Sequence, residues 1–363
     1  MGLLRLFLAL SVLNIHANML GRNLIGGDTA VQLFFIISGY YMAMVLNEKY
    51  LPAKSTNVDF WKSRALRIFP AYYIVLLATL VAGGVLALVG TGAYQPAFVA
   101  WDQILEMGTS RVQLVWLGFA QTVLFGLDFS NFAAMGTGGQ ISFTANAWLE
   151  KFPVWRLLFV PQGWTLSLEL YFYLLAPFLV RRGYAVLLWI FVASFSLRVL
   201  AAGLLGFRTD PWSYRFFPFE LQLFLAGVIA YRLGQLPGQW PGRRTLSVKC
   251  MVAILVFCAG LIGRFGVPGQ SSFVDPALMA VLFLTIGKLF EFTKHNRADR
   301  LLGELSYPLY VCHVLVIWIV AVIFPRNTGW NRGVVLLFSI CVAGLIYFYV
   351  ERRVDKIRHR RFQ

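Results

Sequence analysis

Five ionisable side chains stand in or at the edge of strongly apolar runs, where a charge is expensive and by default marks a functional position. They are His16 in LRLFLALSVLNIH, Arg64 and Arg67 in FWKSRALRIFPAYY, Glu169 in GWTLSLELYFYLLAP and His313 in LSYPLYVCHV. An imidazole titrates near neutrality, so it suits the removal of a proton from a hydroxyl. A carboxylate at similar depth orients such an imidazole or accepts a hydrogen bond from a sugar hydroxyl. Guanidiniums three residues apart share a helix face, and each offers two donors to a phosphate. Arg5 precedes His16 by eleven residues. That is close to three helical turns, so the two share a face about 16 Å apart along the axis.

A structural reading stands beside each assignment. Arg5, Arg64 and Arg67 serve equally as positive flanks of membrane helices, and His16 as an interfacial polar residue. Glu169 serves as a helix–helix hydrogen bond and His313 as a packing histidine. Arg198 and Glu220 are further buried charges and rank below the others, as members of a structural ion pair. His295 and His359 fall in basic segments and read as solvated.

Only membrane helices position such residues in this chain. Of its 363 residues 59% are hydrophobic and 13% charged, against about a quarter charged in soluble domains. The net charge of +16 would suit nucleic acid, but so apolar a chain points to basic loops beside a lipid bilayer, and no nucleic-acid partner is expected. Runs of about twenty apolar residues fall at 2–20, 29–46, 67–89, 162–181, 184–205, 215–233, 248–263, 276–292, 306–324 and 333–351. They predict an all-α polytopic integral membrane protein of about ten transmembrane helices, a single membrane domain over 1–363. The first run lacks a cleavage site and reads as a span rather than a removed signal.

With the N-terminus cytoplasmic, Arg5, the 47–67 loop, Arg181 and Arg182, the 232–249 loop, the 288–305 loop and the tail from Arg352 hold 22 of the 32 Lys and Arg residues. That asymmetry follows the positive-inside rule and puts both termini in the cytoplasm. Residues 111–129 are apolar enough to span, but a crossing there would turn every later basic loop outward. They are predicted as an interfacial or re-entrant helix within an outer segment of about 90–161, in which 136–146 is loop. Trp101, Trp116, Trp148 and Trp155 of that region read as interfacial anchors before sugar-stacking platforms. Cys250, Cys258, Cys312 and Cys341 show neither metal nor disulfide spacing and read as small buried hydrophobes. No metal is expected.

Five segments, in order, resemble the motifs of the acyltransferase family 3 membrane proteins: LRLFLALSVLNIH (Arg-x10-His), GGDTAVQLFFIISGYYM, FWKSRALRIFP (Arg-x-x-Arg), GWTLSLELYFYLLAP and LGELSYPLYVCHV. Thr165 stands where the fourth motif usually has Ser, and a hydroxyl is kept. The resemblance implies a bacterial cell-membrane enzyme that moves an acyl group, often acetyl, from cytoplasmic acyl-CoA to a hydroxyl of an extracytoplasmic saccharide. Acyl-CoA is then a co-substrate, and no cofactor is permanently bound. It implies Arg5, Arg64 and Arg67 on the CoA phosphates, with the pantetheine arm threaded between helices toward His16. His16 is general base or acyl relay, and Glu169 its orienting carboxylate. Thr165 or a backbone amide meets the oxyanion, and Trp164 and His313 complete the candidate set. No further domain is expected after the last span, so the membrane domain itself engages the acceptor. The rival is a transporter or exporter of a glycan or lipid intermediate, which also uses intramembrane His, Glu and Arg. The related halves common in transporters are not visible.

Overall fold

The computed structural model describes residues 1–21, 25–53, 55–89, 96–235, 242–262, 273–324 and 329–361, without the side chains of 242–245, 329, 330, 359 and 361. His359 and part of the predicted 232–249 loop therefore lie outside the described residues. Each predicted span coincides with a helix: α1 (Gly2–Ala17), α2 (Gly27–Val45), α3 (Asn57–Val89), α6 (Trp164–Leu179), α7 (Tyr184–Leu204), α8 (Phe217–Gly234), α9 (Gly242–Ile262), α10 (Val274–Thr293), α11 (Arg297–Ile323) and α12 (Gly329–Ile346). Among the described residues six helical segments are both long and apolar enough to cross a membrane. The chain is an all-α multi-pass membrane protein apart from one short hairpin.

Helix boundaries correct three expectations. α3 begins ten residues before the predicted start because Thr56 and Asp59 form a reciprocal cap. The Asp59 carboxylate accepts from the Thr56 amide at 3.0 Å, and the Thr56 hydroxyl accepts from the Asp59 amide at 3.2 Å. Arg64 and Arg67 thus lie about two and about three turns inside the helix rather than at its start. The expected 288–305 loop shrinks to three residues, because the Asn296 side chain caps α11 by accepting from the Asp299 amide. The basic tail is also helical, α13 (Arg352–Arg361), after a π-helical turn at Tyr347–Glu351.

The bundle is ordered by which helices hide from lipid. The window of α2 suited to crossing is 78% buried and that of α3 is 22% buried, so α2 is central and α3 peripheral. α2 packs along α8, and α1 along α11. The first contact depends on two glycines: a Cβ on Gly39 would lie 1.9 Å from the Phe224 carbonyl oxygen, and one on Gly227 2.0 Å from that of Ile36. Without hydrophobic drive between helices in lipid, such close backbone approach supplies the packing. Beside it Arg198 and Glu220 pair at 2.8 Å, and Gln32 donates to Glu220 at 3.0 Å. These two charges are the structural ion pair that the sequence suggests.

The cysteines divide. Cys312 is buried, but Cys250 and Cys341 are exposed on α9 and α12, against the expectation of burial. In a membrane bundle the lipid-facing surface is as apolar as the core, so apolar context does not separate the two.

The segment 96–163 forms a cap at one end of the bundle. It holds α4 (Pro96–Glu106), α5 (Arg111–Val123) and an antiparallel hairpin of β1 (Ala133–Met135) and β2 (Ile141–Phe143). The predicted loop 136–146 therefore includes a strand. α5 is 13 residues long, about 20 Å, too short for a hydrocarbon core of about 30 Å. It ends where Leu124 turns left-handed at φ 65°. The cap has a small core of its own, with Ile104, Leu117, Val154 and Leu157 at its centre. Tyr171 of α6 ties it down, donating to Asp128 at 2.8 Å and accepting from the Gly126 amide at 2.8 Å. Burial lifts the Asp128 carboxyl to about 6.

Candidate active site

α1 sets the axis of the site. Its last turn closes on Asn18 in the left-handed conformation, and the Asn14 side chain accepts from the Leu20 amide at 2.9 Å. This fixes His16 on the wall of a cavity of about 720 Å³ beneath the cap. Eleven residues back, Arg5 opens on a second cavity of about 440 Å³ at the other end of the bundle. A neck of about 110 Å³ lies between them and shares Val31 and Tyr310 with the first and Arg5, Phe34, Arg67, Glu169 and Tyr173 with the second.

The cavity under the cap is aromatic. Trp148, Trp155, Trp164, Tyr214 and Tyr310 line it together with Asp28, Asp210 and Arg215. The Arg215 guanidinium lies 4.5 Å from the Trp164 ring centre, 4.7 Å from that of Tyr214 and 5.3 Å from that of Trp148, a geometry suited to cation–π attraction. Asp210 holds it by two bonds, 2.5 Å to Nε and 2.8 Å to Nη2. Trp148 and Trp155 pack with ring centres 4.6 Å apart and planes tilted by 31°. Of the four tryptophans read as anchors, these two instead line the cavity. Trp101 donates to the Leu157 carbonyl at 2.8 Å, and Trp116 packs on the cap core.

His16 meets a second imidazole. The His313 ring, on the neighbouring α11, has its centre 5.1 Å away. Three residues earlier on α11 the Tyr310 hydroxyl lies 2.9 Å from Thr165 Oγ1, and Thr165 donates to the Gln162 carbonyl at 3.0 Å. Gln162 in turn donates to the Val311 carbonyl at 2.5 Å. These bonds lock the first turn of α6 onto α11 and place Thr165 and Trp164 at the junction of cavity and neck.

Glu169 is elsewhere. It lines the neck and the second cavity, where Tyr173 donates to it at 3.2 Å. The expected pairing of Glu169 with His16 at one depth is corrected on this point. Five residues separate Glu169 from Trp164, which carries it about 7.5 Å further along the bundle, past the layer of Tyr310.

The second cavity is basic. Arg5, Arg64, Arg67, Lys294, Arg300 and Arg358 line it against Glu169, Asp299 and Glu304. The two guanidiniums expected to act alike differ. Arg67 Nη1 lies 2.8 Å from Glu304, 3.3 Å from Glu351 and 3.7 Å from Asp355, so its charge is already matched. Arg64 has no carboxylate partner among the described residues. Its contacts are Ser63 Oγ at 3.4 Å and Met42 Sδ at 4.0 Å, and its Nε is buried without a partner. Arg5 lies over the Tyr41 ring. At the same end the Asp299 carboxylate receives the Gly2 and Leu3 amides at 2.8 Å each, satisfying orphan donors at the start of α1.

Arg215, Asp210 and Tyr310 are not singled out by the sequence reading. The available signal is a charge pair five residues apart among aromatics in DPWSYR, together with the second tyrosine of SYPLY.

Comparisons with known proteins bear on the family of the chain. A family model described as an acyltransferase domain matches residues 1–350. Nodulation protein 10 of Rhizobium leguminosarum bv. viciae is 25% identical over 98% of this chain and 93% of its own length. The O-acetyltransferase OatA of Staphylococcus aureus is 23% identical over 97% of this chain but only 56% of its own length. An uncharacterized protein of Aquifex aeolicus is 28% identical over 55% of this chain and 90% of its own. No solved structure matches. With the motifs in order along its helices and the family model spanning nearly its whole length, the chain belongs to the acyltransferase family 3 of membrane proteins.

Proposed function

We propose that the protein transfers an acyl group, acetyl by family default, from cytoplasmic acyl-CoA to a hydroxyl of an extracytoplasmic saccharide. The observation that carries this reading is the pair of chemically opposite cavities joined by a neck, with Arg5 and His16 of one helix at the two ends. The basic cavity lies where both the start of α1 and α13 sit, and the basic segments of the sequence cluster on that side. This supports about ten crossings of a bacterial cell membrane with both termini cytoplasmic. The aromatic cavity then opens outward beneath the cap.

In this reading the phosphates of CoA rest on Arg64 and Arg5, whose donors are not taken by carboxylates among the described residues, with charge-assisted bonds of the stronger kind. Arg67 anchors the carboxylates around the mouth instead of serving as a phosphate clamp. The pantetheine arm passes Glu169 and Tyr307 through the neck and presents the thioester near Thr165 and Tyr310. On the far side the sugar stacks on Trp164 and Trp148. His16 takes the proton of one sugar hydroxyl, the oxygen attacks the thioester carbonyl, and the C–S bond breaks. The CoA thiolate leaves with a proton, and the product is an ester.

The test is NMR of surface and exported glycans from a strain carrying the gene, its deletion, and the deletion complemented with wild type or His16→Ala. O-acyl signals lost on deletion and restored only by wild type are expected. Unchanged acylation with an altered amount or location of glycan would overturn the reading in favour of an exporter.

A further inference from the structure

His313 is not part of the cavity wall. Tyr310 and Val314 line the cavity, while the His313 ring between them is fully buried behind His16. Its two nitrogens differ. Nδ1 lies 2.6 Å from the Tyr310 carbonyl oxygen. A carbonyl only accepts, so Nδ1 carries the hydrogen and Nε2 presents a lone pair. That Nε2 has no hydrogen-bond partner among the described residues. A buried acceptor left unpaired is costly and calls for a reason.

The His313 ring packs against that of His16. The ring centres are 5.1 Å apart and the planes tilted by 39°. At that separation a small ring rotation brings two edge nitrogens to a hydrogen-bond distance of about 3 Å. Among the described residues no hydrogen bond or ion pair joins either ring to a carboxylate. The orienting role that a carboxylate commonly fills beside a catalytic imidazole is therefore open, and the ring that packs against His16 is that of His313, with its Nε2 unpaired among the described residues.

We propose that His313 is the positioning residue of the site. Its Nε2 accepts the N–H of His16, which holds His16 in one tautomer with the other ring nitrogen bare toward the acceptor hydroxyl. The chain Tyr310 carbonyl, His313, His16, acceptor then has every hydrogen directed the same way. This inference rests on the proposed role of His16, but it concerns a contact that exists whether or not transfer is observed.

The first test reads the contact itself. Nitrogen-15 NMR of the ring-labelled full-length protein in nanodiscs, with His16 signals assigned by their loss in His16→Ala, should show His16 as a single neutral tautomer. His16 exchanging between both tautomers in the wild type overturns the proposal even if acyl transfer is intact. The second test reads function. His313→Gln keeps an acceptor near Nε2 and should keep kcat within about tenfold. His313→Leu should lower kcat about 100-fold, the scale of lost orientation around an imidazole, with KM for both substrates unchanged. Full kcat in His313→Leu would mean a packing role only and would overturn the proposal.

Discussion

The two large cavities have no lining residue in common among those described, and they are built by opposite rules. The basic one collects six cations at the end where three carboxylates hold Arg67. The aromatic one holds five rings and a single cation, already bonded to Asp210. A polyanion is favoured at the first and a face of C–H groups with hydroxyls at its edge is favoured at the second. What the contrast teaches is that this bundle keeps a basic and an aromatic chamber apart while α1, α2, α6 and α11 each contribute side chains to both.

The contrast can be broken most severely at its reactive end. His16→Ala should lower acyl transfer by about 10³-fold or more, the usual weight of a general base, with membrane expression preserved. Glycan O-acyl content against protein level checks it. At the basic end the two arginines should separate. Arg64→Ala should weaken acyl-CoA binding by about 10- to 100-fold, the loss of a charged hydrogen bond of about 1.5–3 kcal/mol, by titration of the purified protein. Arg67→Ala should instead leave the buried Glu351 and the half-buried Glu304 without their cation and destabilise the fold by about 3 kcal/mol, visible as a lower Tm before any change in CoA affinity. Equal loss of CoA affinity in both variants would erase the distinction between them.

Smaller effects should sharpen the aromatic side. Trp164→Leu should raise the acceptor KM by about tenfold, near the worth of one stacking contact, while acyl-CoA binding stays unchanged. Tyr171→Phe removes both bonds of this hydroxyl to the cap and should cost about 2 kcal/mol of stability, at about 1 kcal/mol for each bond, read as earlier proteolysis of the cap rather than unfolding of the bundle.

Much of the architecture is legible in the amino-acid sequence. The apolar runs mark the helices because a membrane crossing demands length and composition together, and the non-crossing of 111–129 follows from the charge of later loops. The Arg5–His16 face follows from helical periodicity. The equal treatment of Arg64 and Arg67 fails, because the carboxylates that claim Arg67 come from α11, the turn after α12, and α13, more than 230 residues away. The depth of Glu169 escapes the sequence because position within one helix says nothing of where a neighbouring helix places its own residues. Arg215 escapes it because its meaning comes from Trp148 and Trp164, which local patterns do not connect to it.

Composition, periodicity and motif order were enough to determine a multi-pass helical acyltransferase with Arg5 and His16 on one face of α1. Those are properties of single segments, set by backbone hydrogen bonding in lipid and by 3.6 residues per turn. Which histidine faces His16, which arginine keeps a free charge, and which tryptophans leave the interface for the cavity were decided only by the packed bundle. Each of these depends on contacts between helices far apart in the chain, whose relative depth and rotation arise from side-chain packing.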